Sequence, residues 1–471
     1  MKIGSSTASI PNPTPLLFLI TATALLLWPD ASGTTALVVA AAVAVPFAAF
    51  WLSYSSVWAV IALVTASAVP RLYVEIGGLK ARPEHIIAGV MCISILILKK
   101  KRRQPVRWIW PDYLLMAYAA LNLFSSWFMS IEPRQTIKWA VQQVLVILAY
   151  FFLRVLVEDR KGLRKAVMAL LVVGSVTVAY GIFCFYANLI FGTELGVTVG
   201  QYGDIPATYG LQFEANILGS YSGALSVMML VTYLYDRRPR FLAGFALATA
   251  GMAISLSRGA LGATLIGLLV VLFFSVRKRH LTRELLFGVA KATVCALLLV
   301  LPAVLSQYTE RFSTVDISDP TSDPNTLTRV VQVGSAFDEV LKHPVWGGGT
   351  SSFQLAFDWQ SLGAEWEDQG WIANTEMRVV HDTGLVGLVV FTGFVVSLYR
   401  RSRKVLKSES NPELVALLAS AVVYCVAFQA TEGTILAFTW VHLGLIGCAV
   451  SGFSASKMGG YGKGLDQIAA G

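Results

Sequence analysis

Asn374, Arg378 and His381 are spaced i, i+4 and i+7, so on a helix they share one face. An amide, a fixed cation and a titratable imidazole on one surface can hold a hydroxyl and accept its proton; a solvated helix face carrying an Arg378–Asp382 pair is the alternative reading. Four arginines, Arg258, Arg311, Arg329 and Arg378, fall at the edge of an apolar run or in the hydrophilic stretch beside it. The guanidinium offers a rigid fork of donors suited to a diphosphate near a membrane surface. Pairing with Glu310, Asp338 or Asp382 is the competing role, although Arg258 has no acidic neighbour in sequence. Trp346, Trp359, Trp366 and Trp371 provide aromatic faces that stack on sugars or anchor the chain at an interface.

Other chemistries find little support. Asp316, Asp319 and Asp323 lie in a proline-broken stretch without a calcium-loop pattern, and the histidines are scattered, so no metal site and no cofactor are expected. P-loop, dinucleotide-binding and nucleophile-elbow patterns are missing, which disfavours an ATP-driven pump. The net charge of +9 gathers in short clusters between apolar runs, a distribution that points to membrane topology and away from nucleic acid. His343, followed by Pro344, reads as part of a helix stop.

These residues need elements to position them. A chain of 471 residues that is 55% hydrophobic and 14% charged, with a mean hydropathy of +0.64, cannot hide its apolar surface in one soluble core. Its apolar runs have the length of a helix crossing the hydrocarbon layer. The expected fold is all-α, a polytopic membrane helix bundle with about 12–14 transmembrane helices. Residues 1–471 form a single integral membrane domain, with one large extracytoplasmic loop, 307–383, containing short helices. The run near 16–28 reads as a signal peptide or a first span, the thin basic start favouring a retained span, and further candidate spans follow near 35–52, 56–74, 84–98, 112–130, 136–156, 166–190, 213–235, 241–256, 259–276, 286–305, 384–399, 414–430 and 434–451. Cys92, Cys184, Cys295, Cys425 and Cys448 sit inside these runs as small packing residues.

Basic clusters around 99–107, 154–165, 237–240, 277–283 and 400–407 fall in alternate loops, so one topology puts all five in the cytoplasm and the 307–383 loop outside. Within that loop the apolar residues from Val330 to Leu341 recur at helical spacing, predicting an amphipathic helix over 328–342. Gly347-Gly348-Gly349 then makes a turn that lets backbone approach closely, and a second short helix is expected over 374–383.

Taken together, several pieces resemble the O-antigen ligase and O-antigen polymerase superfamily of bacterial envelope enzymes. They are Gly210-Leu-Gln-Phe-Glu-Ala-Asn216, Leu256-Ser257-Arg258-Gly259, Arg329 ahead of His343-Pro344-Val345-Trp346-Gly347-Gly348-Gly349, and Asn374 followed by Gly384-Leu-Val-Gly387. The resemblance implies a metal-independent glycosyltransferase of the inner membrane, multi-pass, with its active site facing the periplasm or exterior. Its donor would be a glycan on undecaprenyl diphosphate and its acceptor a growing polysaccharide or lipid A-core, with membrane lipids around it. By the resemblance, diphosphate binding maps most directly onto Arg258 and next onto Arg329; the residue reading adds Arg378 and Arg311 beside them, and His381 and Asn374 as catalytic candidates. Asn216, Trp346, Gly347 and Gly349 would pack the glycan or the loop.

Ligases of the superfamily place a histidine immediately before the last motif's Asn or Ser, where this sequence has Ala373. Either His381 substitutes as the base or the chain is polymerase-like, and the departure leans the reading to a polymerase. A lipopolysaccharide ligase is the alternative. A transporter or flippase of lipid-linked glycans is a further one, although it should carry ionisable residues in mid-span and two related halves.

Overall fold

Proline and short polar side chains start the helices that the apolar runs predict. The structure, a computed structural model, describes residues 55–76, 79–98, 106–200, 203–277, 287–296, 298, 300, 305, 324–356 and 372–452, all within the compact unit Leu52–Gly471. Helices α1 (Ser56–Ser67) and α2 (Pro83–Leu98) flank an antiparallel pair, β1 (Val74–Ile76) and β2 (Leu79–Ala81), in which Val74 faces Ala81. Helix α3 (Trp110–Phe128) begins where the Asp112 carboxylate accepts the Ile109 N–H at 2.8 Å. Helix α4 (Pro133–Leu156) opens on a proline, whose missing N–H has no intrahelical partner to lose there. Helix α5 (Arg160–Phe191) is capped by Asp159, which accepts the Gly162 N–H at 2.6 Å, and stops at Gly192 with φ 67°.

A second antiparallel pair, β3 (Val197–Gly200) and β4 (Gly203–Thr208), leads into α6 (Ala215–Asp236). There follow α7 (Pro239–Ile254), α8 (Arg258–Arg277), α9 (Phe287–Ala296), α10 (Pro324–Lys342), the single turn α11 (Phe353–Ala356), α12 (Thr375–Ser408), α13 (Pro412–Ala427) and α14 (Ala437–Val450). Helix α6 is the centre, buried from Ile217 through Val231 and packed against α7, α8 and α13. Small residues permit this: a Cβ at Gly219 would lie 2.8 Å from the Ala260 Cβ, and one at Gly223 would run into the Thr264 side chain. Two helices can then approach backbone to backbone, the packing that lipid surroundings favour. Outward faces are apolar as well, with Val172, Val176 and Phe183 exposed on α5 and Leu265, Leu269 and Phe273 on α8.

This is an all-α membrane bundle. Among the described residues α4, α5, α6 and α12 are long and apolar enough to cross a membrane, and the other apolar helices are shorter. Two expectations change. The chain is not purely helical outside the spans, because both hairpins stand where the sequence reading had only a span end and a loop. The expected span 56–74 stops at Ser67, after which the chain turns toward β1. The predicted spans 16–28 and 35–52, and residues 307–323 and 357–371 of the large loop, lie outside the described residues, and so do Arg311, Trp359, Trp366 and Trp371.

The bundle has two unlike ends. At one, Arg154 and Asp112 pair at 3.1 Å, Arg164 and Arg238 both reach Asp236, and Arg160 meets Glu409. The other end collects the C-termini of α1, α3, α5, α7 and α13 and the N-termini of α2, α4, α6, α8, α12 and α14. Cross-links there tie Gln212 to the Ala68 carbonyl, Gln143 to the Thr434 carbonyl and Thr136 to the Ser126 carbonyl. Among the described residues, the basic clusters at 154–165, 237–240 and 400–407 therefore lie at the end opposite the candidate site residues.

Candidate functional site

The site is built on a break in α12. Its N-cap is Asn374, whose Oδ1 accepts the Met377 N–H at 2.8 Å while its Nδ2 reaches the Gln429 carbonyl at 3.3 Å. Asn374 therefore precedes the helix and secures α12 to α13, a position that takes it off the shared face expected from its spacing. Six residues beyond Arg378 the helix breaks at Gly384, φ 67° and ψ −171°. A helical Leu385 N–H would donate to the His381 carbonyl, and Val386 to that of Asp382. Here residues 344–349 take over both sides of the gap. Gly348 donates to the His381 carbonyl at 2.8 Å and Gly349 to the Asp382 carbonyl at 3.1 Å, while Leu385 donates to the Pro344 carbonyl at 2.9 Å and Val386 to that of Val345 at 3.3 Å.

All four backbone groups are thereby satisfied in a buried place, which the loop's glycines make possible. A Cβ at Gly347 would lie 2.5 Å from the Asp382 carbonyl carbon, and one at Gly384 would overlap Val345. Helix α3 holds the splice from beneath: Ser125 Oγ donates to the Asp382 carbonyl at 2.7 Å and Ser126 Oγ accepts the Thr350 N–H at 2.9 Å. Trp346 packs edge-on against Phe124, with ring centroids 5.3 Å apart.

Arg378 lies under this splice, 3% exposed. Its Nε donates to Asp382 at 3.2 Å, one terminal nitrogen to Ser351 Oγ at 2.7 Å and the other to Glu432. These bonds join α12 to Ser351, just before the α11 turn, and to the loop between α13 and α14. His381, also 3% exposed, has its Nδ1 3.0 Å from Asp382 Oδ1 and its ring edge-on to Phe353. Glu432 accepts N–H donors from Thr434 at 3.0 Å and Ile435 at 3.1 Å besides Arg378. Burial pushes the Glu432 carboxyl above the usual range and the Arg378 charge opposes that rise.

Around this core other charged groups converge. Arg82 sits 3.3 Å from Glu84 and over the Phe213 ring at 5.0 Å; burial lowers it, and the charges of Glu84 and Glu432 oppose that while Arg378's adds to it. Glu214, the residue before α6, is held up by burial, drawn down by Arg329 and pushed up by Glu432. Arg329 stands on the same side of α10 as Gln332, Ala336 and Val340, the inward side. Arg258 begins α8 after a turn in which Leu256 adopts φ 54°, and its neighbour Gly259 faces Ala430, 3.8 Å from a built Cβ. Arg258, Arg329, Arg378, Asn374 and His381 thus gather at one end of the bundle. Asn216 lies in the first turn of α6, its carbonyl accepting Ser220 Oγ at 2.7 Å.

Sequence reasoning missed Arg82, Glu214 and Glu432 as site members. The signal for Glu432 was available, since a lone carboxylate between two apolar spans is a functional candidate by default. Residues 243–392, from α7 through the break in α12, match the family model described as O-antigen ligase. No curated protein matches the chain.

Proposed function

The chain carries, in residues 243–392, the domain of the O-antigen ligase and polymerase superfamily, and from that premise we propose that it is a membrane glycosyltransferase drawing on a glycan carried by undecaprenyl diphosphate. The observation that carries this reading is the gathering of Arg258 and Arg329 at the bundle end opposite the basic clusters. Positive residues concentrate on the cytoplasmic side, so the site faces the periplasm or exterior of a bacterial inner membrane. No nucleotide sugar is available there, and a lipid diphosphate supplies both the sugar and the leaving group. Arg258 and Arg329 stabilise the charge that develops on the departing diphosphate, the role a divalent metal fills elsewhere.

Arg378, His381 and Asp382 serve in this scheme as the frame. Their ion pairs and the backbone splice fix the entrance of α12, on which Asn374 and the 344–349 strip depend. Ala373, beside Asn374, offers no titratable group where ligases place one, which favours a polymerase joining repeat units over a ligase acting on lipid A-core.

The test is removal of the protein from its host. Lipid-linked glycan should accumulate and long polymer disappear, with restoration by the wild-type chain but not by Arg258→Ala. Unchanged polymer and no accumulated donor would overturn the transferase reading.

A further inference from the structure

We propose that Glu214 is the general base that takes the proton of the acceptor hydroxyl in the transfer reaction. This inference rests on the transferase reading above and assigns its base. Glu214 is the last residue before α6, with extended backbone at φ −142° and ψ 159°, and its carboxylate makes no capping bond to its own helix. It is half-buried at the end of the bundle that holds Arg258 and Arg329.

Four neighbouring carboxylates among the described residues are committed. Asp382 and Glu432 divide the Arg378 guanidinium between them. Glu376 accepts from Gln429 at 2.8 Å, and Glu84 is closed in with Arg82 at 2% exposure. The Glu214 carbonyl takes the α6 amides of Ile217 and Leu218, both at 3.1 Å, while its carboxylate accepts no hydrogen bond among the described residues and lies in the field of Arg329 and Glu432. A base must be reachable by the acceptor hydroxyl, which attacks across the anomeric carbon from the departing diphosphate; Glu214 is half-buried and not closed in, and is near enough to Arg329 to feel its charge. His381, at 3% exposure with Nδ1 turned to Asp382, is closed to a sugar hydroxyl.

The electrostatics serve the role. Burial raises the Glu214 carboxyl, Arg329 lowers it, and Glu432 raises it again. When a diphosphate draws Arg329 to itself, that lowering influence weakens and the anion adds a raising one, so the carboxylate becomes more basic as the donor arrives. In the step itself the acceptor oxygen bonds to the anomeric carbon as the bond from that carbon to the diphosphate oxygen breaks. The electron pair leaves on the diphosphate, the hydroxyl proton passes to Glu214, and water removes it after product release. A single displacement of this kind inverts the anomeric centre.

The experiment uses the purified full-length chain in proteoliposomes, with lipid-linked glycan extracted from cells lacking the protein as donor and undecaprenyl diphosphate as binding probe. Glu214→Gln should bind undecaprenyl diphosphate as the wild type does and turn over about 100-fold or more slowly. Its residual rate should lose the fall on the acid side that the wild type shows at a pH above the usual carboxylate range. Glu214→Asp should recover part of the rate. Wild-type turnover in Glu214→Gln would overturn this assignment and leave the transferase reading intact. Loss of undecaprenyl diphosphate binding together with turnover would also overturn it, making Glu214 a donor-site or folding residue. Failure of the wild type to use the extracted donor would remove the transferase reading and this inference with it.

Discussion

The Gly348 amide donates to the His381 carbonyl at 2.8 Å, occupying the acceptor that the Leu385 amide would use in an unbroken helix. Together with its three companion bonds this makes residues 344–349 a splint across the break at Gly384. Sequence separation is large but the exchange is one for one, so the break leaves no backbone group stranded. The splint in turn sets where Arg378 and His381 point.

The first prediction concerns that splint. Gly384→Ala must accept φ 67° and a Cβ that collides with Val345; the backbone strain alone costs about 1–3 kcal/mol. Its melting temperature in detergent should fall, with loss of polymer output. Gly334→Ala, where nothing lies within 4 Å of the added methyl on α10, should instead keep or raise the melting temperature, since alanine is favoured over glycine inside a helix by roughly 0.5–1 kcal/mol. Equal melting of both variants would show that the break is not held this way.

A second prediction addresses Arg378 and Glu432. Removing one partner leaves the other charge buried and uncompensated, at a cost of about 3–5 kcal/mol. Arg378→Met and Glu432→Met should each destabilise strongly, and the double variant should be more stable than the sum of the single losses implies, measured by chemical unfolding in detergent. Additive losses would mean that the two side chains are not coupled in the folded protein.

What the sequence made legible followed from local pattern. Helical spacing from Val330 to Leu341, the stop at His343-Pro344 and the glycine turn are all found, and the helix extends to Pro324, four residues beyond the expected start at Thr328. Pairing over long separations was not legible. Glu432 lies 54 residues from Arg378, and Ser125 lies 257 from Asp382; nothing in the local composition of either segment names its partner. The short hairpins escaped for a different reason, since three to six residues of strand beside apolar runs carry too little alternation to be separated from a span end.

Topology is open to direct labelling. The turn after α5 lies at the site end and the connection between α6 and α7 at the basic end. In a cysteine-free background, Thr193→Cys should react with an impermeant maleimide in cells whose outer membrane alone is permeabilised, and Arg238→Cys should not. The reverse pattern would place the site in the cytoplasm and remove the argument for a lipid-linked donor.

Donor binding should depend on the guanidinium of Arg258 and not on charge alone. Lysine keeps the charge but loses the rigid fork. Arg258→Lys should therefore insert and melt as the wild type does while binding undecaprenyl diphosphate at least about tenfold more weakly, a loss of about 1.4 kcal/mol. Unchanged binding by Arg258→Lys would reduce Arg258 to a general electrostatic contributor.

The last prediction separates His381 from Glu214. The spacing of Asn374, Arg378 and His381 offers His381 as the base, but its imidazole is buried beside Phe353 and its Nδ1 is turned to Asp382 at 3.0 Å. Asp382 in turn takes Arg378, Ser125 and Gly349 through its side chain and carbonyl. In that setting His381 orients Asp382, and the property that matters is a donor directed at Oδ1 rather than a nitrogen that titrates. His381→Gln can supply such a donor and has no titratable group. Its turnover should stay within about tenfold of wild type, well short of the roughly 100-fold loss expected when a positioned base is removed. The acid limb of its pH–rate profile should not move, whereas His381→Ala, which leaves Asp382 short of a partner, should lower melting temperature and turnover together. A loss near 100-fold in His381→Gln, with melting temperature and undecaprenyl diphosphate binding unchanged, would return the base to His381 and require α12 to open for the acceptor to reach it.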